Sequence, residues 1–91
     1  MMWKYIALAD DTQIAYSETQ KDGTVIVTAE RPVDMGFDFA RCLLPSYQWS
    51  DTTGFSPDEM RELDAIVHDN APLIIELADQ RADEKNKLPP A

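Results

Sequence analysis

Ninety-one residues carry seventeen acidic side chains against eight Lys and Arg, a formal charge of −9, with 44% hydrophobic residues and one cysteine. The length suits one domain with a modest core. The charge leaves no cluster of bases to displace counterions from a phosphate backbone, the lone cysteine rules out an internal disulfide, and no apolar run is as long as a membrane span. Met1 to Ala9 is apolar, but Lys4 interrupts it and Asp10-Asp11 end it, so the expectation is a cytoplasmic protein without a secretory signal.

Trp3 to Ala9 reads as a first strand, turning at Asp10-Asp11 into a second. Lys21-Asp22-Gly23-Thr24 then carries the two-residue connection of a type I′ hairpin into the β-branched run Val25-Ile26-Val27. Placing Ala9 opposite Thr12 and Lys21 opposite Thr24 pairs Tyr5 with Tyr16, Tyr16 with Ala29 and Glu18 with Val27. One face then carries Trp3, Tyr5, Ala7, Ile14, Tyr16, Val25, Val27 and Ala29, a core face. The other leaves Met2, Ile6, Leu8 and Ile26 among polar residues, an apolar patch suited to an interface.

Arg31-Pro32 is expected to close the third strand, with a loop from Val33 to Gly36. Phe37 to Leu44 alternates like a fourth strand, with a short helix as the rival reading. Tyr47 and Trp49 extend an edge before a turn at Asp51-Thr52-Thr53-Gly54. Ser56, Pro57 and Glu59 form a helix start with a capping box, and Phe55 and Met60 form its hydrophobic staple. Met60, Leu63 and Val67 make one stripe. Asn70-Ala71-Pro72 is expected to break the helix, with Leu73, Ile74, Leu77 and Ala78 facing inward from a second one that ends near Asp83. The fold class is therefore α+β: an antiparallel β-meander of three to four strands with two C-terminal helices packed on one face. Residues 1–83 form the domain and 84–91 a disordered tail.

The chemistry is mostly excluded. Gly23, Gly36 and Gly54 are too dispersed for a phosphate loop, and one histidine with one cysteine gives no zinc spacing. Asp51 to Glu62 has the length of a calcium loop but Ser56 where glycine is needed. Cys42 and His68 form a nucleophile and base only if a buried thiol is reactive, and a buried cysteine acts more often as a small hydrophobe. No catalytic, cofactor or metal residue is assigned. Asp58, Glu62 and Asp69, continued by Glu76, Asp79 and Asp83, form either a solvated face or a row resembling phosphates. Tyr47 and Trp49 either anchor a protein partner or close the end of the core.

Glu30-Arg31-Pro32, Gly36-Phe37, Ala40-Arg41-Cys42, Leu44-Pro45, Tyr47, Trp49 and Gly54-Phe55-Ser56 resemble a pattern in small bacterial proteins carrying a domain of unknown function. That resemblance implies no activity. A small sheet with a helix is also similar in outline to antitoxins of the HicB type, although the proline-glycine segment that follows the sheet in that family is missing. The expectation is a non-enzymatic interaction module, meeting a protein partner or a second copy through Ile6, Leu8, Ile26, Tyr47, Trp49, Asp58, Glu62 or Asp69. The alternative is an acidic nucleic-acid mimic or antitoxin-like inhibitor. Neither reading involves direct nucleic-acid binding, a membrane or a cofactor.

Overall fold

A computed structural model describes residues 1–87. Strands β1 (Met2–Ala7), β2 (Gln13–Ser17), β3 (Val25–Val33), β4 (Gly36–Leu44) and β5 (Gln48–Thr53) form one antiparallel sheet in chain order, and a single helix, α1 (Pro57–Lys87), covers one face. The chain is α+β. Among the described residues, strands number five and not three or four, and one helix stands where two were expected.

The first two turns explain how the register departs from expectation. Leu8 N–H donates to the Thr12 carbonyl and Asp11, at φ 69°, donates to Leu8; Gln20 N–H donates to Thr24 and Gly23, at φ 86°, donates to Gln20. Both are three-residue loops whose last residue is left-handed, so Asp22-Gly23 does not form a type I′ turn, which needs positive φ at both positions. The longer first loop moves the β1–β2 pairing by one residue, setting Ile6 opposite Ile14. A one-residue slip exchanges the faces of a strand. Ile6 and Leu8 therefore pack against the core instead of pointing outward. A bulge at Tyr5 then slips the ladder once more, so that Trp3 opposite Tyr16 also faces inward. Between β2 and β3 the slip is two residues, Tyr16 lying opposite Val27 and not Ala29, and the faces are unchanged.

The third strand does not stop at Arg31-Pro32. It runs to Val33, paired with Gly36 across a turn at Asp34-Met35. Pairing with β2 ends at Gln13 opposite Glu30, so Pro32 lies where β3 has a neighbour on one side only, which accommodates its missing amide. Asp51 to Thr53 likewise belongs to β5, and the chain bends at Gly54. Asp51, at φ 53°, marks a bulge between Ser50 opposite Arg41 and Thr53 opposite Phe39. Both edge strands are thus bulged, a device that discourages pairing with another edge.

Helix α1 continues through Pro72. Leu63, Val67, Ala71, Ile74 and Ala78, spaced four, four, three and four, are each 4% exposed or less, so a single buried stripe crosses the proline without losing phase. A proline inside a helix costs roughly 3 kcal/mol. Here it lies on the exposed face, away from the buried stripe. Asn70 does not cap a second helix. Its Nδ2 donates to the Ile66 carbonyl (2.7 Å) and its Oδ1 accepts from Tyr5 Oη (2.7 Å), which fastens the helix to β1. Leu73, expected inside, is 49% exposed. The helix also runs four residues beyond Asp83, so 84–87 are helical, and the remainder of the expected tail, 88–91, lies outside the described residues.

The core joins Ile14, Tyr16, Val25, Val27, Ala29, Cys42 and Leu44 from the sheet to the helical stripe, with Trp3, Tyr47, Trp49, Phe55 and Met60 packed around it. The Leu44-Pro45 peptide is cis.

Candidate functional site

Arg31 shares the inward parity of Val25, Val27 and Ala29, and at the end of the helix-covered face it meets three carboxylates. Its Nε and Nη2 donate to Asp38 Oδ2 (2.9 and 2.6 Å), Nη1 donates to Asp10 Oδ2 (3.2 Å), and the guanidinium binds both oxygens of Glu59 while lying 4.8 Å from the centre of the Phe55 ring. Glu59 also closes the capping box: it accepts from Ser56 N–H (2.9 Å), and its own amide donates to Ser56 Oγ (3.1 Å). Arg31 and the Ser56 amide hold the Glu59 carboxyl down at about 2. Hydrogen bonds from Thr12, then the Arg31 guanidinium, lower that of Asp10. Gly54 (φ 88°) passes so close to Asp38 that a Cβ there would overlap the carboxylate. This cluster ties the first turn, β3, β4 and the helix start together, each carboxylate hydrogen-bonded to the one guanidinium.

Tyr47 and Trp49 sit at the other margin of the same face. Trp49 Nε1 donates to Asp64 Oδ1 (2.9 Å), His68 Nε2 lies 3.5 Å from Asp64 Oδ2, and the Tyr47 ring stacks on the His68 ring with centroids 3.7 Å apart. Both aromatics are half-buried against the core, which they close. Cys42 lies opposite Trp49 and is 0% exposed; burial, then the Asp64 carboxylate, push its thiol up to about 11. A nucleophile needs the reverse shift. Among the described residues no group of three or more His, Cys, Asp and Glu side chains is arranged to hold a metal ion.

Of the residues singled out as partner-binding, Ile6 and Leu8 belong to the core, and Ile26 is half-buried on the outer face beside Leu43. Asp58 pairs with Arg61, while Glu62 and Asp69 are exposed. The helix's continuity places Asp58, Glu62, Asp69, Glu76 and Asp83 at intervals of four and seven along one outward line, with Asp79 to the side, bonded to Thr19. Among the described residues, Glu62, Asp69 and Glu76 have no ion-pair partner.

The outer sheet face keeps Met2 and Ile26 of the expected patch and adds apolar residues that the sequence reading did not choose. Phe37, Phe39 and Leu43 lie there with Ala15, and Phe37 is 64% exposed. Beyond the ends of β2 and β5, the β3–β4 hairpin extends alone, ending in a wholly exposed Met35 with Val33, 44% exposed, beside it. A readable signal existed: in the alternation of β4, small Ala40 and Cys42 fit under a helix, which leaves Phe37, Phe39 and Leu43 for the opposite side. The face is nearly neutral. It bears Lys4 and Arg41 against Glu30, and Arg41 pairs with Asp51 at 2.7 Å.

Comparison with protein-family models, with curated proteins and with solved structures finds no match for this chain. Among the described residues, no helix is long and apolar enough to cross a membrane.

Proposed function

We propose that the chain is a small, non-enzymatic interaction module that pairs its open sheet face with a second copy of itself. The observation carrying this reading is the coincidence of Phe37, Phe39, Ile26 and Leu43 on a broad surface without an acidic excess, in a chain of charge −9. Like-charged molecules repel over most of their surfaces, and two copies approach at least cost where the charge is balanced. Two such sheets stack about 10 Å apart with the helices outside, and one self-complementary patch closes a two-fold dimer. Burial of Cys42, which raises its thiol pKa, speaks against the Cys42–His68 pair as nucleophile and base.

Sedimentation at micromolar concentration tests the reading. The expected result is a dimer that Phe39→Lys converts to a folded monomer; a wild-type monomer, or a dimer indifferent to Phe39→Lys and Phe37→Lys, overturns it. A second reading, an acidic mimic that blocks a nucleic-acid-binding protein, is favoured by the unbroken outward line of Glu62, Asp69 and Glu76. It requires that the chain displace duplex DNA from a basic DNA-binding domain, and that neutralising those three residues abolish the displacement.

A further inference from the structure

Two charged groups on the open face, one acid and one base, have bonding capacity left over. Glu30 is exposed, and among the described residues its carboxylate takes part in no hydrogen bond or ion pair. Arg41 engages a single nitrogen: Nη1 donates to Asp51 Oδ2 (2.7 Å), and the guanidinium carbon lies 5.7 Å from the centre of the Phe39 ring. Arg31, by contrast, donates from Nε, Nη1 and Nη2 to carboxylates of its own chain. Register relates the two groups. Thr28 lies opposite Arg41 and Glu30 opposite Phe39, so these four outward residues stand at the corners of one rectangle of the β3–β4 ladder, with Glu30 and Arg41 on one diagonal and Thr28 and Phe39 on the other.

We propose that in the self-paired form Glu30 of each copy binds Arg41 of the other, and that these reciprocal pairs set how the two sheets are laid together. The inference rests on the self-pairing of the open face and names the contacts within it. Apolar side chains on two broad surfaces hardly distinguish one relative orientation from another, whereas charges across an interface fix its register. Every contact of a two-fold dimer occurs twice. The axis therefore passes midway between Glu30 and Arg41 and runs near the other diagonal, which brings the two Phe39 rings together between the two ion pairs. Strands of the two copies then cross at roughly 90°, the orthogonal class of sheet packing. Arg41 Nε and Nη2 are free to meet the carboxylate while Nη1 keeps Asp51, since a guanidinium donates from all three nitrogens. Lys4 is the other base of the face, but pairing it with Glu30 centres the contact on β2 and leaves Phe37 beyond the partner's first strand.

The test is sedimentation velocity at micromolar concentration with Glu30→Arg and Arg41→Glu, each alone and the two mixed in equal amounts. All the side chains changed are exposed, and circular dichroism checks that each variant is folded. Either variant alone sets like charges against each other at both contacts, and its dimer should dissociate at least tenfold more readily than the wild type. The mixture should associate again, because the Glu30→Arg copy presents two bases to the two acids of the Arg41→Glu copy. Lys4→Glu should change dissociation less than threefold. Folded single variants as dimeric as the wild type, a mixture that stays monomeric, or a Lys4→Glu loss equal to that of Arg41→Glu would each overturn the pairing and leave the dimer standing. A monomeric wild type would instead remove the dimer and the pairing together.

Discussion

The two faces of the sheet are drawn from the same five strands, yet they differ in almost every physical respect. The covered face holds Ile14, Val25, Val27, Cys42 and Leu44 at 1% exposure or less under one helix, with its ends closed by the Arg31 cluster and by Tyr47 and Trp49. The open face carries comparable apolar side chains, Ile26, Phe37, Phe39 and Leu43, with no helix or strand among the described residues above them. Apolar content alone therefore does not decide which face is the core. Size and shape do: a 31-residue helix can lie close to the sheet over Ala29, Ala40 and Cys42, and larger rings on that side would hold it off.

The widest separation between the faces should come from truncation under the helix. Ile74→Ala should destabilise the protein by about 2–5 kcal/mol in chemical denaturation, because the fixed helix–sheet spacing leaves a cavity. Next comes the assignment created by the three-residue first turn. Ile6→Lys should cost about 2–3 kcal/mol through lost burial and Ile26→Lys much less, so equal losses would return Ile6 to the open side. Pro72→Ala sharpens the account of the cover itself. With the buried stripe already in phase, it should raise stability by about 2 kcal/mol, the roughly 3 kcal/mol helix penalty reduced by about 1 of unfolded-state entropy. A loss instead would mean that the proline contributes to the packing of the helix on the sheet.

Smaller effects belong to the helix start. Ser56→Ala should cost about 1 kcal/mol. Because the folded chain holds Glu59 at about 2 against its ordinary 4.5, its stabilising contribution is complete above pH 4.5 and is lost as the pH falls toward 2. Denaturation midpoints measured across that window should fall with acidification in the wild type and more gently in Glu59→Gln. Identical slopes would remove Glu59 from the clasp between the cover and β3.

Local chemistry by itself determined a good deal. Alternation fixed the inward residues of β2 and β3, since the two-residue slip between them preserves parity, and Ser56 with Glu59 marked the helix start to the residue. These signals rest on groups a few residues apart. Asp-Gly and Asp-Asp announced turns but not their lengths, because the left-handed residue they supply ends a three-residue loop as readily as it sits within a two-residue one. That single residue moved Ile6 and Leu8 into the core, and only the packed sheet decided it. Packing also overruled Pro72, since the burial of Ala71, Ile74 and Ala78 in one stripe outweighs a local helix penalty. The gathering of Asp10, Asp38 and Glu59 on Arg31 joins residues up to 28 positions from the arginine, so it exists only once the sheet and helix have closed on each other.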